Sequence, residues 1–253
     1  WHVNEQSPVF KKVTLKTGAE LVLKQDFNSP VISLKAAFLG GVRHEPNGQA
    51  GINELLSRSW VSTTQKMNEQ ELLHHIDNSS SAIGAFAGRN TVGLSLTTLT
   101  PYFDSMLDTF SEVLSAPIFV NEVIERERKQ MIEQLKTRAD KPAQLCMRQL
   151  AKAFFKDHPY ARDPLGEEDA LRSLQAQDIT KYLQSMAMAK NLKMVLVGDF
   201  EEDSCLKHLE ATTGRLTRGH KIAAKITCKY PQKDIAKFLS LKKEHNHMAL
   251  AFN

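Results

Sequence analysis

The amino-acid sequence predicts an α+β fold of two layers, with helices packed on one face of a largely antiparallel sheet. Two observations carry that reading. The hydrophobic period switches between 2 and about 3.6 along the chain, but strands and helices do not alternate regularly. Strands come first, then helices, a strand pair, a run of helices and a late strand. The chain is also long enough to bury its own core: 253 residues, 42% apolar and 25% charged, the proportions of a globular protein.

The elements follow in order. Val9 to Lys24 alternates and turns at Thr17-Gly18, a hairpin pattern. Val31 to Leu39 is β-branched and apolar at its start and ends at Gly40-Gly41, as a central strand would. Glu45-Pro-Asn-Gly is turn chemistry, and from Gln49 to Val61 the apolar residues at 52, 55, 56 and 60 have helical spacing. Asn68 is an N-cap candidate with Glu71 three residues on, the pattern of a capping box. Ser80 to Leu99 alternates small and apolar residues and reads as two strands. Thr100 is expected to cap, and Pro101 to open, a helix through Ser115. A highly charged helix is expected from Glu122 to about Arg138 and another from Pro142 to Phe155. A third should be capped by Asp178 and run to about Ala189. Leu192 to Val197 reads as a buried strand closed by Gly198-Asp199, and Glu201 to Thr213 as a last helix stopped by Gly214.

Composition excludes several classes. There are 33 Lys+Arg against 29 Asp+Glu, a net charge of +4 spread along the chain, so no nucleic-acid partner is expected. Cys146, Cys205 and Cys228 are far apart and lack zinc-ribbon spacing. No apolar run approaches the roughly 20 residues that span a bilayer. No signal-peptide layout opens the chain, and the sequence assigns no compartment. Residue 1 is Trp rather than Met, so the chain is expected to be a segment of something longer. Residues 1–219 are expected to form one domain. Residues 220–253 then make a basic linker plus the strand His247 to Asn253, opening a following, truncated domain of the same kind.

Several stretches together carry a family resemblance. They are Gly40-Gly-Val-Arg-His-Glu-Pro, Gly51-Ile-Asn-Glu-Leu-Leu-Ser-Arg-Ser, Pro117-Ile-Phe, Ile124-Glu-Arg-Glu-Arg, His158-Pro-Tyr-Ala-Arg-Asp-Pro-Leu-Gly and Met194-Val-Leu-Val-Gly-Asp-Phe. In this order and spacing the chain resembles the M16 family of zinc metallopeptidases, the pitrilysin, insulinase and mitochondrial processing peptidase family. The resemblance covers about residues 9 to 213. It implies an inverted zinc motif, His-x-x-Glu-His, on the helix after the Gly-rich turn. Residues four apart share a helical face, so two imidazoles can hold one zinc ion while the Glu acts as general base. A third ligand, a Glu, would come from the charged helix.

Matched position by position, the chain departs from that motif. The histidine positions hold Glu54 and Arg58, the base position holds Ser57, and the third-ligand position falls on Gln134. Glu127 matches an acidic residue that the family often keeps on the same helix. Arginine cannot give up its proton to coordinate a cation, so no catalytic residue, no metal ligand and no cofactor are expected here; zinc belongs to active relatives. Arg58 is expected to occupy the zinc position, bonded to Glu54 or Glu127.

The resemblance implies an inactive M16-type domain that shapes a chamber or binds peptide for an active, zinc-bearing half. The alternatives are a non-enzymatic scaffold of the same fold, or an active zinc endopeptidase using displaced carboxylates such as Glu54, Glu127 and Glu133. Active members bind substrate peptides as an added strand, and the matching segment here includes Gly84, Ala85, Phe86 and Ala87. His74-His75 point about 100° apart on a helix and share a metal poorly. His245-x-His247 could share a strand face but reads as a polar junction, and His158 as a structural loop residue.

Overall fold

The computed structural model describes residues 10–223 and, beyond them, 227, 230–231, 233, 235–240 and 246–252. Strands β1 (Lys11–Thr14), β2 (Glu20–Gln25) and β3 (Val31–Leu39) come first. Helices α1 (Ile52–Trp60) and α2 (Glu69–Asn78) follow, then strands β4 (Ala82–Ala87) and β5 (Thr91–Leu99). A helical run comprises α3 (Phe103–Ser115), α4 (Asn121–Ala139), α5 (Pro142–Phe155), α6 (Glu168–Ser173) and α7 (Ala176–Met186). Strand β6 (Leu192–Gly198) and helix α8 (Glu202–Gly214) complete the described elements.

The six strands form one sheet in the order β1-β2-β6-β3-β5-β4. Four of its five pairings are antiparallel, and β2 with β6 is parallel. The sheet is largely antiparallel, as expected, and the insertion of the late strand adds its one parallel pair among the described residues. It is an α+β fold.

Alternation on the central strands assigns the faces. Ile32, Leu34, Ala36 and Phe38 of β3, Leu94 and Leu96 of β5, and Leu192, Met194 and Leu196 of β6 all point to the buried side. The helices cover that side with residues such as Leu55, Trp60, Phe110, Ile179 and Leu183. The other side faces solvent, as an antiparallel sheet allows.

The structure moves several helix boundaries for identifiable reasons. Gly51 has φ +97, which ends any helix before it, so α1 starts at Ile52 and not Gln49. A Cβ at Gly51 would lie 2.9 Å from the Gly166 Cα, so two glycine backbones meet where α1 joins the loop before α6. Thr100 is not the cap of α3: its hydroxyl donates to Asp199 Oδ2 at 3.3 Å, and Thr100–Tyr102 form a 3₁₀ turn. Asp178 sits at the third position of α7 and accepts from the Gln175 N–H at 2.9 Å, closing a capping box from inside the helix. The Asn68–Glu71 capping box of α2 is present.

Within the stretch expected as a strand, 247–253, the described residues are 247–252. Residues 246–252 have no regular structure, and Met248, Leu250 and Phe252 are exposed. Among the described residues, no helix is long and apolar enough to cross a membrane.

Candidate functional site

Helix α1 is buried almost all round. Ile52, Asn53, Leu55, Leu56, Ser59 and Trp60 are buried, and Trp60 stacks on Phe38 with ring centroids 6.5 Å apart. The Trp60 indole N–H donates to the Val113 carbonyl at 2.9 Å. The half-buried positions are Glu54, Ser57 and Arg58, spaced i, i+3 and i+4, so they form one stripe. This stripe looks toward α4, against which α1 packs.

The stripe is closed by an arginine. Arg58 Nε donates to Glu54 Oε1 at 2.8 Å, and its Nη2 donates to Gln134 Oε1 of α4 at 2.9 Å. Ser57 turns its hydroxyl back to the Glu54 carbonyl at 2.9 Å. The sequence offered Glu54 or Glu127 as the partner of Arg58. Glu54 takes that place with Gln134, while Glu127 accepts from Arg126 Nε at 3.0 Å. Arg126 also forms a two-pronged bond to Glu69 of α2, which holds the Glu69 carboxyl below its usual range.

These residues do not fit a zinc ion. The guanidinium is permanently cationic and lies between the two oxygen donors that a metal would need. Glu133, invoked for a displaced site, is exposed and pairs with Lys136 one turn along its own helix. Among the described residues, no three His, Cys, Asp or Glu side chains are grouped to hold a metal.

Behind the stripe lies a polar cluster that the sequence reasoning missed. Glu45 is 4% exposed and accepts through Oε1 from the Gly51 and Asn53 N–H groups at 3.1 and 3.2 Å, anchoring the start of α1. Its Oε2 has no hydrogen-bond partner among the described residues. Burial pushes the Glu45 carboxyl up to about 7, against the opposing pull of those N–H groups and the Arg162 charge. Arg162 donates to the Glu45 carbonyl at 2.6 Å and to Asn47 at 2.9 Å. The Asn53 amide donates to the Gly88 carbonyl at 3.2 Å, and the Tyr182 hydroxyl donates to the Gly41 carbonyl at 2.9 Å. Glu45 and Arg162 both fall in segments singled out by the sequence, but nothing in their local pattern reveals that they meet.

The segment with Gly84, Ala85, Phe86 and Ala87 is β4, which pairs with β5 on one side and forms an edge of the sheet. The remaining candidates are dispersed. His74 is exposed, His75 Nε2 lies 3.1 Å from the Thr109 hydroxyl, and His158 accepts from the Tyr160 N–H at 3.1 Å. Cys205 is buried, which pushes its thiol up to about 12, and the Cys146 thiol donates to the His247 carbonyl at 3.6 Å. His245 and Cys228 lie outside the described residues.

Comparison with known proteins places this geometry. The pattern of the insulinase family, peptidase family M16, matches residues 21–168. An uncharacterized zinc protease of Bacillus subtilis is 22% identical over 81% of this chain and 50% of its own length. A non-peptidase homolog of Helicobacter pylori is 20% identical over 79% of this chain and 46% of its own. The chain thus spans about half the length of the curated relatives it matches. The crystal structure of a peptidase M16 inactive domain from Pseudomonas fluorescens superposes with a TM-score of 0.81 at 19% identity. It covers 88% of this chain and 53% of that one. With more than half of its residues matched by the family pattern, the chain belongs to the insulinase family of peptidases, M16.

Proposed function

We propose that the chain is a catalytically inactive M16-type domain that shapes the chamber, or binds peptide, for an active zinc-bearing half of a larger protease. The observation that carries this reading is the Arg58 guanidinium bonded to both Glu54 and Gln134. It puts a fixed positive charge where the motif would place a cation. Ser57, bonded to its own helix, offers no carboxylate base. Relatives described as a zinc protease, a non-peptidase homolog and an inactive domain are consistent with a family in which some members lack the activity. The half-length match supports a partner half outside this chain, with residues 220–253 leading into a second domain. Peptide would add to β4, since strand addition uses backbone groups and needs no metal.

Metal analysis tests this directly. The purified chain should hold well under 0.1 zinc per molecule and show no chelator-sensitive peptide cleavage. The quadruple variant E54H/S57E/R58H/Q134E should take up about one zinc. Stoichiometric zinc and chelator-sensitive cleavage in the unmodified protein would overturn the proposal.

A further inference from the structure

The solvent face of the sheet carries an ordered arrangement that the inactive site does not use. Register aligns one row across four strands: Lys12 of β1 opposite Val22 of β2, Val22 opposite Val195 of β6, and Val195 opposite Lys35 of β3. Two lysines thus bracket two valines. Lys12 and Lys35 are exposed and have no ion-pair partner among the described residues. Val195 is 44% exposed, uncommon for a valine in the middle of a sheet.

In the neighbouring rows Lys24 is paired with Asp26 at 3.2 Å and Lys193 shares Glu20 with Lys221, so among the described residues the uncompensated charge of this face is that of Lys12 and Lys35. Beyond Lys35 the face drops to Ser95 of β5 and Gly84 of β4. Lys35 therefore has small residues beside it in its own row, while Lys12 stands beside Val22.

We propose that this row is a docking surface for an acidic, amphipathic polypeptide segment that crosses the strands in extended form. Strands are about 4.8 Å apart, so the two lysine positions lie roughly 14 Å apart. Same-face residues of an extended chain recur about every 6.8 Å. Carboxylates four residues apart then meet Lys12 and Lys35, and an apolar residue midway seats on Val22 and Val195. The matching pattern is acidic-x-apolar-x-acidic. It differs from strand addition at β4, because β5 separates that edge from Lys35. The contacts here are made by side chains and a sheet face, not by edge backbone.

The probe is a fluorescein-labelled peptide of repeated Glu-Ser-Leu-Ser, with Lys-Ser-Leu-Ser as its charge-reversed control, read by fluorescence anisotropy on the full chain. The acidic peptide should bind, the basic one at least tenfold more weakly, and added salt should weaken the acidic complex. K12E/K35E should lose at least tenfold, and V195S several-fold, with thermal unfolding unchanged in both. K207E, an exposed lysine on α8, should change affinity less than twofold.

The proposal is overturned if K207E costs as much as K12E/K35E, or if both peptides bind alike. It also falls if phosphatidylserine vesicles bind through these lysines while the peptide does not, or if K12E/K35E acts by dissolving a self-associated dimer seen in sedimentation. None of these readouts involves metal, so failure here leaves the inactive-domain reading standing, and the converse holds.

Discussion

The two sides of helix α1 differ in how firmly the rest of the molecule specifies them. On the inner side, Trp60 stacks on Phe38 and bonds to Val113, and the helix start is held by Glu45 and Asn53. On the outer stripe, Glu54, Ser57 and Arg58 bond mainly to one another and to one residue of α4. The motif positions expected from the family resemblance lie on the outer stripe, and the core contacts lie on the inner side. A chain can therefore exchange the first set for a salt bridge and keep its fold. The inner side is more tightly specified, because Trp60, Asn53 and one Glu45 oxygen each have a fixed, buried partner.

That contrast is broken most directly at Trp60. Trp60→Ala removes a fully buried indole from the centre of the core and orphans the Val113 carbonyl. The expected loss is about 3–5 kcal/mol, measured as a shift of the urea midpoint at constant slope. A loss below about 1 kcal/mol would mean that the inner side is no more constrained than the outer one.

A smaller effect is expected at Glu45, and it depends on pH. The folded carboxyl is raised to about 7 from an ordinary 4.5. Between those values the native state binds a proton that the unfolded state does not, so stability falls as pH rises from about 4.5 to 7. The full difference is on the order of 3 kcal/mol. Glu45→Gln keeps the acceptor for the Gly51 and Asn53 N–H groups but cannot ionise. It should flatten this dependence and leave the variant more stable than the parent at pH 8. Urea midpoints collected from pH 4 to 8 decide the matter: parallel profiles for both proteins would show that Glu45 does not titrate there.

The same division explains what was legible in the sequence. Gly51-Ile-Asn-Glu-Leu-Leu-Ser-Arg-Ser and its apolar spacing predict α1 and place Glu54, Ser57 and Arg58 on one stripe, because helical geometry is local. The late strand from Leu192 was recognisable from its own residues, but not its insertion between β2 and β3 as a parallel neighbour of β2. Which strands pair is set by where the connecting helices travel. Glu45 stayed hidden for a related reason. Its burial depends on Gly166 meeting Gly51 and on Arg162 reaching back over more than a hundred residues. A single Glu after a glycine turn otherwise looks like surface. The Thr100 cap failed because Asp199, distant in sequence, competes for its hydroxyl.

The smallest effect is expected on the outer stripe, and there a small number is the informative one. Arg58→Ala and Glu54→Ala each remove a partner from a half-buried i,i+4 pair, and the double variant removes both. A double-mutant cycle should give a coupling of about 0.2–1 kcal/mol, because the pair retains access to water. Arg58→Ala alone should cost slightly more than Glu54→Ala alone, since it also releases Gln134 and with it a tie between α1 and α4. A coupling above about 2 kcal/mol would reverse the comparison between the two sides. Arg58 would then be a structural keystone linking α1 to α4, and replacing it with a histidine would unfold the domain before any metal could bind.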